Sequence, residues 1–198
     1  MNLIERAKRI LLQPKSEWLV IEGESTSVAG LYKEYIVPLA AIAPVAGLIG
    51  MSMVGVMGYR VPLVSGIGHA LTSYVLTLVG VFIIALIIDA LAPSFGGQKN
   101  QMQALKVAAY ASTPSWLAGV VMILPMLGII ALLAALYGLY LLYLGLPVLM
   151  KAPQEKAVGY TVVVVVAAIV VMMVVGAISG MFIAAPVMPM HEFVPPAP

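Results

Sequence analysis

DALAPSFGGQKNQMQALKVAAYASTPSW, residues 89–116, is the longest polar interval between apolar runs and divides the chain into two long hydrophobic halves. Pro93, Ser94, Gly96 and Gly97 break the apolar run before it. Residues 101–110 then restore a helical spacing that continues past Thr113 and Pro114. A turn followed by a new helix is predicted here, and the other segments are placed on either side of it.

With 198 residues, 63% hydrophobic and 9% charged, the chain carries more apolar surface than a soluble domain of its length buries. A helix crosses a hydrocarbon core with about 20 apolar residues, so several spans fit and little remains for an extramembrane domain. With no cysteine, there is no disulfide framework, thiolate nucleophile or cysteine-ligated metal. His69 and His191 are the only histidines and stand far apart, so no metal site of usual ligand spacing is expected. The sequence has no G-x-S-x-G, Walker loop or H-E-x-x-H. The reading therefore expects no enzyme, no cofactor and no nucleic-acid partner.

Residues 1–30 read as a cytoplasmic, interfacial segment. Leu3, Ile4, Ala7, Ile10 and Leu11 recur at helical spacing, with Glu5, Arg6, Lys8 and Arg9 on the polar side. This predicts a short amphipathic helix, ended by Pro14, that lies in the headgroup region with Trp18 as an interfacial anchor. The bland alternative packs the same helix on the ends of the spans. No secretory signal peptide is expected, because the first long apolar run begins only near Ile36. Ser25, Thr26 and Ser27 offer a helix cap before that run.

Residues 31–185 read as an all-α polytopic membrane domain of five transmembrane helices at about 36–57, 70–91, 104–124, 127–149 and 157–185. Pro38 and Pro44 in the first span and Pro114 in the third predict kinks, since each removes a backbone donor that lipid cannot replace. Pro125 is the predicted turn between the third and fourth spans. Residues 186–198 form a proline-rich tail expected to be disordered. Five spans place Arg6, Lys8, Arg9, Lys15, Lys33, Lys99, Lys106, Lys151 and Lys156 on one side and Arg60 alone on the other. Four spans would move Lys151 and Lys156 across, so the charge asymmetry favours five, with a cytoplasmic N-terminus and an external C-terminus.

Few residues in the spans offer chemistry. Asp89 is the only Asp, Glu, Lys, Arg or His of the second span, and an intramembrane carboxylate is a functional candidate by default. Its place near the span's end weakens that case and favours a structural pair with Lys99 or Lys106, or an interfacial anchor, over an ion, proton or partner-binding role. Tyr110, Thr113 and Tyr140 complete a candidate polar cluster with Asp89 and Lys106. Tyr137 and Tyr140 also need hydroxyl partners, such as a carbonyl freed near Pro114. Gly176, Gly180 and Ala184 form a small-xxx-small ridge for helix packing, within one chain or between two copies, and Ala43/Gly47 and Ala46/Gly50 repeat the spacing on the first span.

The segments LAPSFGGQKN (91–100), MQALKVAAYASTPSWLAGVV (102–121), LPMLG (124–128) and LYGLYLLYLGL (136–146), preceded by LYKEYIVPLAAIA (31–43), resemble bacterial members of the Yip family. These are the Ypt/Rab-interacting membrane proteins. The resemblance covers about residues 15–185 and implies five spans, a cytosolic N-terminus and non-enzymatic work in membrane organisation. The Rab-binding eukaryotic relatives carry a D-L-Y-G-P type motif in a longer N-terminal region. The corresponding stretch here, EGESTSVAGLYKEY (22–35), lacks it, which counts against a Rab-type GTPase partner. The expected partners are membrane lipids, a second copy or other membrane proteins, in a bacterial inner membrane. The alternative function is a small transporter or channel with a polar cavity near Asp89.

Overall fold

The structure, a computed structural model, describes residues 2–55, 59–124, 127–181 and 188–189. The Pro125 turn, residues 56–57 of the first predicted span, Ala184 and the tail apart from Met188–Pro189 lie outside the described residues. The fold is all-α apart from a two-residue antiparallel pairing of β1 (Tyr59–Arg60) with β2 (Met188–Pro189).

The N-terminal segment forms two helices, α1 (Leu3–Leu12) and α2 (Pro14–Gly23). Pro14 does not end the helical region. It opens α2, because the first helical position needs no amide donor and favours the fixed φ of proline. Ser27 then caps the next element, its hydroxyl accepting from the Gly30 amide at 3.0 Å.

The first long element is built of α3 (Val28–Leu31), α4 (Val37–Ala40) and α5 (Ile42–Ile49), with π-helical turns at Tyr32–Ile36 and Gly50–Val54. Its breaks fall around the prolines. The π turn ends at Ile36, two residues before Pro38, and α4 gives way to α5 at Ala41, three residues before Pro44. At that break the Ala41 amide bonds Leu39 instead of Val37. The freed Val37 carbonyl accepts from the Tyr74 hydroxyl at 3.0 Å, and Tyr32 returns the contact by donating to the Leu78 carbonyl at 2.8 Å. Two tyrosines thus satisfy backbone groups where lipid offers no partner.

Tyr74 and Leu78 belong to α6 (Leu63–Leu91), whose C-terminus tightens into a 3₁₀ turn, Ala92–Phe95. The central stretch then turns sharply. Gly96 adopts φ +74°, and a Cβ on Gly97 would stand 2.6 Å from the Met150 carbonyl. The next amide, Gln98, bonds that same carbonyl at 2.7 Å. After the turn come α7 (Gln101–Ala111), α8 (Thr113–Ala118) and a 3₁₀ turn, Gly119–Ile123, with the helix broken at Ser112 next to Pro114. The last two long helices are α9 (Gly128–Met150), which contains Pro147, and α10 (Ala157–Gly180).

Four helical stretches, Val28–Val54, Leu63–Phe95, Ile129–Met150 and Gln154–Gly180, are long and apolar enough to cross a membrane. The interrupted 101–123 segment is not among them. It holds the most enclosed stretch of the fold, with every residue from Ala104 to Tyr110 buried. α7 packs between α6 and α9, and the Gly119–Ile123 turn packs on α5, where a Cβ on Gly50 would meet the Met122 carbonyl. The segment therefore runs from the Gln98–Met150 contact at one end of the bundle to the end of α5 at the other.

Candidate functional site

The residues that the sequence groups into one polar cluster are divided by the fold. Lys106, Tyr110 and Thr113 lie on α7 and the start of α8, and all three are buried. Asp89, near the end of α6, forms no ion pair with Lys106 or Lys99 among the described residues, and its Oδ1 is buried without a hydrogen-bond partner. Tyr140 is 41% exposed on α9 and, among the described residues, stacks with no ring but Tyr137, at 5.7 Å between centroids.

What gathers around Lys106 is the N-terminal helix pair. Lys106 Nζ donates to the Ile21 carbonyl at 2.8 Å and to the Glu24 carbonyl at 2.6 Å, so a lysine only 2% exposed sits on the C-terminal carbonyls of α2. Helix C-termini present unpaired carbonyls and the negative end of the helix dipole, which suits a cation. Arg6 of α1 pairs with Glu17 of α2 at 2.5 Å, with both side chains buried, and with Glu24. Burial works against the Arg6 charge, but the Glu24 hydrogen bond and electrostatic interactions with Tyr110, Glu24 and Glu17 outweigh it and hold its pKa above the ordinary arginine value. Two cations and two carboxylates make the cluster neutral, the condition under which buried charges are tolerated.

Aromatic rings enclose this cluster. The Arg6 guanidinium lies 5.7 Å from the Tyr110 ring centroid, and Tyr110 packs against Trp18 and Tyr35 at 6.2 and 4.6 Å. Tyr35 in turn shares a 2.8 Å hydrogen bond with Thr113. Trp18 is fully buried and is not an interfacial anchor. It is held against α9 because Gly145 has no side chain; a Cβ there would stand 2.8 Å from the indole ring. Tyr137 finds its partner in α1, donating to the Leu11 carbonyl at 2.6 Å, and not near Pro114. Lys151, in the left-handed conformation that ends α9, pairs with Glu22, and Gln103 donates to the Glu22 carbonyl at 3.0 Å. Leu3, Leu11, Trp18 and Ile21 add apolar contacts, so α1 and α2 are integral to the bundle's core.

Arg6, Glu17, Glu24, Trp18 and Tyr35 are absent from the sequence-based cluster. A signal existed: Glu17, Ile21 and Glu24 follow at i, i+4 and i+7, one face of a helix, directly after a proline suited to a helix start.

A second feature lies away from the charged cluster. An 880 Å³ cavity, partly open to the surface, is lined chiefly by α5, α6, α7, α8, α9 and α10. Pro44, Gly80, Ala111, Ser112, Trp116 and Gly138 are among its walls, and no Asp, Glu, Lys or Arg of the described residues is. Asp89, Tyr110, Thr113 and Tyr140 do not line it. The glycine ridge of α10 is not a packing seam within the described part of the chain either. A Cβ added to Gly176 or Gly180 would meet nothing within 4 Å, whereas Gly119, in the turn after α8, closes on Ala43 of α5.

Long apolar helices around a buried central segment define an integral, polytopic helical membrane protein. Within that class the chain belongs to the Yip1 domain family, whose model matches residues 8–187. The match covers Glu17, Glu24 and Lys106 of the cluster and begins just after Arg6. Neither a curated protein nor a solved structure matches the chain.

Proposed function

We propose that the chain is a non-enzymatic component of the membrane, working in membrane organisation or as a binding partner of lipids, of a second copy or of other membrane proteins. The observation that carries this reading is where the polar groups go. The buried charges of the cluster are paired to one another or to helix carbonyls, and the large cavity has no charged residue in its described wall. An ion crossing a protein needs charged side chains, polar side chains or free carbonyls to replace its water, and the described cavity wall is almost wholly apolar. Here the buried polar chemistry holds the bundle together, and the long helices turn largely apolar side chains outward.

Five crossings fit this reading, because the 101–123 segment runs between the two ends of the bundle although its pieces are short. The positive-inside asymmetry then assigns the cluster's end to the cytoplasm and the C-terminus to the outside, in a bacterial inner membrane. The absent D-L-Y-G-P type motif argues against a Rab-type GTPase partner. The transporter reading keeps one supporting observation, the unpartnered Asp89 Oδ1. Proteoliposomes under an imposed proton or cation gradient separate the two. The expected result is no flux above empty liposomes; flux abolished by Asp89→Asn would overturn the proposal.

A further inference from the structure

We infer that the 880 Å³ cavity is a binding site for the acyl chain of a bilayer lipid. This deepens the lipid-binding reading above and rests on the spans crossing a bilayer. The volume falls within the range of about 300–1,000 Å³ typical of small-molecule pockets. A space of this size between packed helices leaves its apolar walls without the contacts that close packing gives, which an apolar occupant would supply.

The wall decides which occupant. Buried water needs two to four polar partners, and most of the polar side chains that line the cavity are already committed. Ser73 donates to the Ala70 carbonyl at 3.0 Å, Thr77 to the Ser73 carbonyl at 2.8 Å and Ser112 to the Ala108 carbonyl at 2.8 Å, each bonding back to its own segment. His69 is held by the Ser179 carbonyl at 3.0 Å. Apart from the Ser115 hydroxyl, the remaining side-chain surface is almost wholly aliphatic, thioether and aromatic. It suits hydrocarbon and gives neither an ion nor a polar solute compensation for its lost water.

The position of the cavity identifies the hydrocarbon as lipid. Its wall extends along α6 from Gly66 to Ile84, which at 1.5 Å per residue is about 27 Å, nearly the thickness of a hydrocarbon core. On the side of α9 and α10 the lining residues Leu139, Ile169 and Met172 are 37%, 53% and 62% exposed. The cavity is therefore continuous with the surface that these two apolar helices turn toward the bilayer, and an acyl chain enters sideways without leaving its hydrophobic phase.

The test uses the full chain in phosphatidylethanolamine/phosphatidylglycerol vesicles carrying a trace of phosphatidylcholine with a mid-chain diazirine, photolysed and mapped by mass spectrometry. Adducts are expected on residues 108–112, which are enclosed by the other helices, as well as on outward residues such as Val170. Ala168→Trp and, independently, Thr77→Leu fill the cavity. Each is expected to lower the 108–112 adducts at least about tenfold, a loss of ~1.4 kcal/mol or more in chain binding, while the Val170 adducts and thermal stability are kept. Adducts confined to outward residues, or 108–112 adducts that persist in both variants, would overturn the acyl-chain site while leaving the membrane reading intact. No adducts on any helix would overturn the membrane reading itself.

Discussion

The two ends of this bundle are built on opposite principles. At the end where α1 and α2 dock, Arg6, Glu17, Glu24 and Lys106 all have named partners, and the rings of Trp18, Tyr35 and Tyr110 fill the space between helices. Away from that end the same bundle opens around a large apolar cavity that runs along α6 from Ile84 to Gly66, and the side chains of α10 from Ile169 to Val174 are mostly exposed. Directional contacts are worth making where water cannot compete and a precise fit is needed, and they fix one arrangement. Apolar contacts with lipid on the far side provide no comparable preference, because lipid tails are as apolar as the side chains they meet. The charged end is fixed by directional contacts, and the cavity wall holds no ion pair among the described side chains.

The largest expected break in this contrast comes from unpairing the cluster. Arg6→Met leaves the Glu17 carboxylate buried without its partner and should destabilise the bundle by about 3–5 kcal/mol. The Arg6→Met/Glu17→Leu double variant should recover most of that loss, read as thermal unfolding in detergent; simple additivity of the two single changes would deny the pair. Gly145→Leu comes next. Its side chain needs the volume held by Trp18, and overpacking should cost ~1–3 kcal/mol and loosen α2, visible as faster proteolysis near residue 24.

Tyr74→Phe acts on a smaller scale, at one backbone carbonyl. It leaves the Val37 carbonyl, freed by the α4–α5 break, without its donor, at a cost of about 1–3 kcal/mol in the same unfolding assay. At the bottom of the order, Gly176→Ala on exposed α10 meets nothing within 4 Å and should change stability by no more than about 0.5 kcal/mol. A large effect there, or a change of oligomeric state in cross-linking, would show that the glycine ridge is a contact between copies.

Much of the helical layout is legible in the sequence because apolar runs and prolines act locally. The runs mark the long helices, and Pro38, Pro44 and Pro114 stand beside the breaks since a missing amide disturbs only its own turn. The candidate site is less legible because its partners are distant in sequence. Lys106 stands out along the chain, but its charge is met by carbonyls 82 and 85 positions away, and the direction in which α7 faces cannot be read from spacing alone. Asp89, two residues before the end of α6, looks like its natural partner by sequence proximity, yet forms no pair with it. Trp18 misleads for a related reason: a tryptophan near a membrane boundary reads as an anchor, and only the absent side chain at Gly145, far along the chain, makes room to bury it.

α1 and α2 are packed into the bundle through buried Ile10, Trp18 and Ile21, and this docking is what a reporter at Trp18 tests most directly. Trp18 and Trp116 are the only tryptophans, so Trp116→Phe leaves Trp18 as the single indole reporter. In vesicles its fluorescence should be blue-shifted and quenched little by acrylamide or by lipids brominated near the headgroup, as expected for a fully buried ring. Strong quenching by headgroup-proximal bromine, with a red-shifted spectrum, would place Trp18 in the interface and contradict the account.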